Sequence, residues 1–173
     1  MNEVIKNILT RRSIRQYEDS QVPDELLDEV LLAGTYAASG RGLQAPIILV
    51  IQDKEVIKEL SKINAEIFGR DTDPFFGAPT VLMVLTDRSR STGIEDASLV
   101  LGNMMLAAHS VGLGTCWVHR AREQMDYEYV KNMLIKVGID PNKYVGVGHL
   151  SLGYPKAVPK KAAPRKKDYI YKI

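Results

Sequence analysis

Two rhythms of apolar residues alternate along the chain. Val4, Ile5, Ile8 and Leu9 recur at three- and four-residue intervals, so residues 2–11 read as a short amphipathic helix. Pro23 suits the first turn of a second helix with Leu26, Leu27, Val30, Leu31 and Ala37 on its inner face, ending near Ser39-Gly40. PIILVIQD at 46–53 is instead a compact β-branched run between a proline and an aspartate, the pattern of a buried strand. Helical spacing returns with Val56, Ile57, Leu60, Ile63 and Ile67, and PTVLMVLTD at 79–87 repeats the strand pattern. Residues 69–79, with their Gly, Pro and Asp, predict a flexible loop.

Thr92 followed by Glu95 predicts a capping box for the helix containing DASLVLGNMMLAAHSVGLG. That helix is apolar nearly all round and should be buried on most sides. GTCWVH predicts a third strand, EQMDYEYVKNMLIKVG one helix closed by Gly138, and YVGVGHLSLGY a fourth strand. Such alternation of helices and strands by itself predicts a doubly wound parallel sheet. No GxGxxG follows the first strand, and GLGTCW precedes a strand instead of opening a helix, so the dinucleotide fingerprint is absent.

At 173 residues, 45% of them apolar, the chain predicts one domain over 1–173, with 155–173 as an extended basic arm. No apolar run approaches the roughly 18 residues that cross a bilayer, and the N-terminus lacks the basic-then-apolar order of a signal peptide. The expected location is therefore cytoplasmic, with no membrane partner. One cysteine, Cys116, excludes an internal disulfide, and His109, His119 and His149 show no HxH or HExxH spacing, so no metal is expected. The net charge of +2 hides an asymmetry: residues 155–173 hold seven Lys/Arg against one acid, the remainder 16 against 20. This tail reads either as a solvated terminus or as a nucleic-acid arm. DYIYKI within it alternates Tyr169, Ile170 and Tyr171 like a strand seeking a surface.

Four stretches carry candidate chemistry. Arg11, Arg12, Ser13 and Arg15 offer guanidiniums and a hydroxyl to a phosphomonoester, although arginines at a helix C-terminus also complement its dipole. AASGRGLQAP at 37–46 would let backbone amides approach a planar ligand, and Gln44 can donate and accept at an imide edge; a plain helix-to-strand turn explains the glycines as well. In TCWVHRA, Cys116 and Trp117 read as core and packing, while His119 and Arg120 at the strand end face either a ligand or solvent. In the tail, Arg165 and Lys166 could return to the anion near Arg11.

RRSIRQY, ASGRGLQAP, FFGAPTVLMVL, DASLVLGNMMLAAHSVGLGTCW, GVGHLSLGYP and a basic PRK, in that order over essentially the whole chain, resemble the nitroreductase family in a short form. The resemblance implies an α+β fold, a three-layer α-β-α sandwich with a mixed, mainly antiparallel central sheet, overriding the parallel expectation. It also implies a homodimer with two FMN sites at the interface and electron transfer from NAD(P)H to a nitroaromatic, quinone or similar acceptor, in ping-pong order. By the match, Arg11, Ser13 and Arg15, with Arg12 as a further member, hold the flavin phosphate and ribityl region, and Arg165 with Lys166 completes the phosphate site. Ser39 and Gly40 line the ring and Gln44 bonds the pyrimidine edge, with the partner subunit expected to supply some of these residues, the small-residue loop included. Where family members often carry PSGxNxQPW, this chain has Gly42 at the asparagine position and Ala45-Pro46 for Pro-Trp. Where larger members carry a glutamate-glycine pair near the flavin N5, VHRA at 118–121 brings His119 and Arg120. The rival readings are a flavin-binding protein or flavin enzyme with another substrate, and a nucleic-acid-binding domain using the tail.

Overall fold

A computed structural model describes residues 1–173. Helix α1 (Glu3–Thr10) is opened by Asn2, whose side chain accepts from the Ile5 amide at 2.9 Å. Helix α2 (Asp24–Thr35) stops short of Ser39-Gly40, and its last turn presses Gly34 against α4 (Gly93–Ser110). A Cβ on Gly34 would stand 2.8 Å from Met104, so only glycine permits this approach. Strand β1 (Pro46–Ile51) leads to α3 (Lys54–Phe68), capped by Asp53, whose carboxylate accepts from the Glu55 and Val56 amides. Then come β2 (Thr80–Asp87), α4, β3 (Gly114–Val118), α5 (Ala121–Gln124), α6 (Glu128–Lys136) and β4 (Tyr144–Gly153).

The sheet runs in the order β1-β2-β4-β3, and every strand pair in it is antiparallel. Its one parallel contact is an isolated bridge between Ser13 and Thr115. Alternation of helix and strand does not produce a parallel sheet here because the 69–79 loop carries the chain back: Ile51 at the end of β1 pairs with Val81 at the start of β2. Along β2, Leu82 and Val84 pack against α2 and α4, while Val81, Met83 and Leu85 pack against α3, α5 and α6. A register shift opposite Val84/Leu85 leaves Val147 of β4 unpaired and reverses its parity, so Val147 joins Leu150 and Leu152 on the α4 side. The result is the expected α+β three-layer sandwich.

Three local expectations fail for physical reasons. The segment 123–138 is two helices and not one, because the buried positions Ala121, Gln124, Met125 and then Val130, Leu134 fall out of helical phase between Met125 and Val130. The turn between α5 and α6 resets that phase. Thr92 precedes α4 but forms no capping box, since its hydroxyl is engaged with the Asp96 carboxylate at 3.1 Å. The DYIYKI segment docks nowhere on its own chain: Tyr169, Ile170 and Tyr171 are exposed, and the outer edge of β3 is met instead by Ser13. The 69–79 loop is a loop, pinned by Asp73.

Candidate functional site

The RRSIRQY stretch leaves α1 and runs along β3. The Ile14 amide donates to the Thr115 carbonyl at 2.9 Å, and Ile14 sits so close to Gly114 that a Cβ there would meet it at 2.6 Å. Ile14 and Tyr17 are thereby buried, and Ser13 and Arg15 on either side of Ile14 stay exposed. The Tyr17 hydroxyl donates to the Ile14 carbonyl at 2.9 Å, and burial pushes its ionisation far up, so it remains a neutral strut.

The two leading arginines play different parts. Arg12 Nη1 donates to the carbonyls of Leu9 (2.8 Å) and Arg11 (2.6 Å), which satisfies the end of α1 as the helix-terminus reading predicts. Arg12 Nε is buried and unpartnered, but Arg11 makes no side-chain hydrogen bond at all, and its buried Nη1 has no partner. A guanidinium N–H out of water without an acceptor is costly, so this atom calls for an acceptor that the chain itself does not supply. Arg11 and Arg12 line a cleft of about 200 Å³ with His109, Thr115, Pro155 and Pro159.

His109 was not selected by any sequence motif. It lies 99 residues from Thr10, whose hydroxyl meets its Nε2 at 2.9 Å, and only the crossing of the C-terminal ends of α1 and α4 unites them. Partial burial, then Arg11 and Arg12, hold its pKa below the ordinary value, which favours a neutral ring. Cys116 also gains neighbours that the sequence hides. Burial pushes its thiol up, with Arg15, Ser13 and Arg11 opposing, so it is protonated and inert.

The small-residue loop forms a second centre. The Gly40 amide donates to Asp96 at 3.0 Å and the Gln44 amide to the Ser39 hydroxyl at 3.1 Å. Gly40 lies so tightly on Thr92 that a Cβ has no room. Ser39 and Gln44 open onto an apolar cavity of about 480 Å³ with Ile47, Ile48, Asp96 and Val100. Asp96, which sequence reasoning passed over, thus ties the loop to the start of α4.

His119 is exposed, and Arg120 is committed elsewhere. The Arg120 Nε donates to Asn64 at 3.0 Å, and its guanidinium stacks over Phe68 at 4.1 Å. Asn64, fully buried, also donates to the His119 carbonyl at 2.8 Å. Left-handed φ values occur at four non-glycine residues, Arg41, Gln44, Phe76 and Arg120, all of them in loops that bracket these features. In the tail, Lys156 is tied to Gln16 at 3.0 Å, but Arg165 bonds only the Ala163 carbonyl and Lys166 sits over Tyr169. Within one chain, then, the fold brings Arg11 and Arg12 into one cleft near Ser13 and Arg15, keeps Ser39, Gly40 and Gln44 together, and leaves Arg165 and Lys166 apart.

The profile of the nitroreductase family matches residues 8–154. This chain belongs to that family. A relative in Archaeoglobus fulgidus, provisionally named an NADH dehydrogenase/NAD(P)H nitroreductase, is 34% identical over 163 residues, covering 90% of this chain and 87% of its own. An FMN reductase [NAD(P)H] of Bacillus subtilis is 35% identical over 132 residues, which are 66% of this chain and 53% of that enzyme, so the family likeness spans only about half of it. The crystal structure of a Bacteroides fragilis nitroreductase with bound FMN superimposes with a TM-score of 0.90 at 26% identity, covering 100% of both chains. The nitroreductase fold accounts for the antiparallel sheet and the two helical layers described above.

Proposed function

We propose that this nitroreductase-family protein is an FMN-dependent oxidoreductase that takes electrons from NAD(P)H and delivers them to a nitroaromatic, quinone or similar electron-poor acceptor. The observation that carries this reading is the buried, unpartnered Arg11 Nη1 beside Ser13 and Arg15, in a chain that overlays an FMN-bound relative from end to end. A phosphate supplies the acceptor that Arg11 lacks. When bound, the flavin supplies the redox chemistry.

The protein's own part is binding, orientation and exclusion of water. Arg11 and Ser13 hold the phosphate, Arg15 the adjoining ribityl and ring edge, and Arg12 fixes the helix end that aims them. Ser39 and Gly40 present backbone to the ring, and the Gln44 amide pairs with its pyrimidine edge. His119, exposed just after β3, is the side chain assigned to the ring, and Arg120, locked by Asn64 and Phe68, steadies the backbone turn that carries it. Pro159 already lines the anion cleft, and Arg165 is only six residues further, a span of at most about 20 Å. Arg165 and Lys166 can therefore join the phosphate once it is bound. Donor and acceptor use one site in turn, hence ping-pong kinetics.

The working unit is a homodimer. Val4, Ile5, Ile8 and Leu9 on α1 are 67%, 45%, 47% and 55% exposed, and Leu99 on α4 is 50% exposed. Exposed apolar side chains on the two helices of this layer mark a surface for another copy of the chain. No helix is long and apolar enough to cross a membrane. Purified protein should be yellow, bind FMN more tightly than riboflavin, and bleach on rapid mixing with NADH or NADPH. Protein that neither binds FMN nor bleaches overturns the proposal. Cys116→Ser should turn over a nitroaromatic or quinone at a comparable rate, because no thiolate is involved.

A further inference from the structure

The loop before β2 contains a device that the sequence motif DPFFGAP does not disclose. One carboxylate, Asp73, accepts from the Phe75 amide at 2.9 Å, from the Gly77 amide at 2.6 Å and from the Ser61 hydroxyl at 2.6 Å. Its bonds therefore grip the backbone on both sides of Phe76. Between them Phe76 adopts φ 60°, a left-handed conformation that an aromatic residue rarely takes, followed by Gly77 at φ 71°. The clip sends two successive phenylalanines in different directions. Phe75 is fully buried, edge-on against His149, whereas Phe76 remains half-buried beside Ile14 and Tyr17. There its ring lies 5.8 Å from the Arg15 guanidinium, within cation–π range.

We infer that the Asp73 clip makes Phe76 a positioning residue, a π platform that holds the otherwise exposed Arg15 side chain in the orientation the flavin site requires. A flexible arginine gains most in binding when its rotamers are restricted before the ligand arrives. Arg15 forms no hydrogen bond or salt bridge with any acidic group, so the Phe76 ring is its anchor on the loop side, across from Cys116. With this left-handed backbone at Phe76, its ring packs beside Ile14 and Tyr17 while Phe75 fills the core. This inference rests on the assignment of Arg15 to the flavin.

A double-mutant cycle on FMN dissociation constants, read by flavin fluorescence quenching, tests it. Phe76→Leu keeps bulk but removes the π face and should weaken FMN binding about three- to tenfold. Phe76→Tyr should restore wild-type affinity. Because Phe76 acts through Arg15, Phe76→Leu should add nothing in an Arg15→Ala background. Phe76→Gly, which adopts φ 60° without strain, is the second variant if leucine disturbs folding; it should weaken FMN while leaving the apoprotein's melting temperature near that of wild type. Additive losses, or Phe76→Leu and Phe76→Gly binding FMN as wild type does while Arg15→Ala is impaired, overturn the inference alone. Wild-type affinity in Arg15→Ala overturns the assignment of Arg15, and the inference with it.

Discussion

Two segments of this protein carry the same kind of charge and differ in what the fold does with it. Residues 11–15 hold three arginines, and residues 160–167 hold five Lys/Arg. The first segment is threaded along β3, so that Ile14 is buried and Arg11 is left with a buried N–H that nothing satisfies. The second lies open, with Arg165 bonded only to its neighbour Ala163. Positive charge alone does not make an anion site. What distinguishes the first segment is the loss of water as an alternative partner, and even there the distinction is one of degree: Arg12 spends its Nη1 on two carbonyls and leaves its buried Nε unpaired, whereas Arg11 makes no side-chain hydrogen bond and leaves its buried Nη1 unpaired.

Arg11→Ala should break that comparison most forcefully. A hydrogen bond to a charged group is worth about 1.5–3 kcal/mol, so FMN affinity should fall on the order of ten- to a hundredfold, with riboflavin affinity little changed. Isothermal titration of both flavins measures it, and equal losses for the two would move Arg11 away from the phosphate. Removal of residues 160–173 should have the smaller effect, about tenfold or less on FMN, because contacts from an exposed tail are offset by the entropy of ordering it. The melting temperature of the apoprotein should barely move, since none of those residues is buried. Arg165→Ala should account for part of the tail's contribution. A tail deletion as damaging as Arg11→Ala would erase the difference between the segments.

What the sequence revealed follows the same division between local and assembled features. Helical and strand rhythms placed all four strands and α1 to α4, because the spacing of apolar residues within each of these elements is a property of the segment itself. No Gly or Pro interrupts the stretch 123–137, whereas the buried positions on either side of Met125–Tyr127 are out of helical phase, which becomes visible only once burial is known. Strand direction was equally hidden, since it depends on how far the 69–79 loop returns. In the site, Arg11, Ser13, Ser39, Gly40 and Gln44 stood out by residue type. His109, Asp96, Asn64 and Asp73 did not, because each acts on a residue 4 to 99 positions away and carries no motif of its own. Resemblance to a family supplied the antiparallel sheet, which no local pattern contained.

The smallest expected effect is also the most local measure of the comparison. His109 shares the cleft with Arg11 and Arg12, and its pKa is depressed first by partial burial and then by those two charges. A base whose folded pKa lies below its unfolded value binds fewer protons when folded, so it subtracts stability as pH falls from about 6.5 downward, through the folded pKa. Arg11→Ala removes one of the two depressing charges. The His109 midpoint should therefore move up toward the ordinary histidine value, and the acid-side loss of stability should shrink. Removing the tail takes away more formal charge but none within contact of the ring, so it should leave the midpoint in place. Histidine ring resonances followed by NMR through a pH titration of wild type, Arg11→Ala and the tail-deleted chain give the three midpoints directly. If tail removal shifts His109 and Arg11→Ala does not, the charge in the cleft comes from the wrong segment, and the contrast between a built-in and an open basic stretch fails at its closest point of measurement.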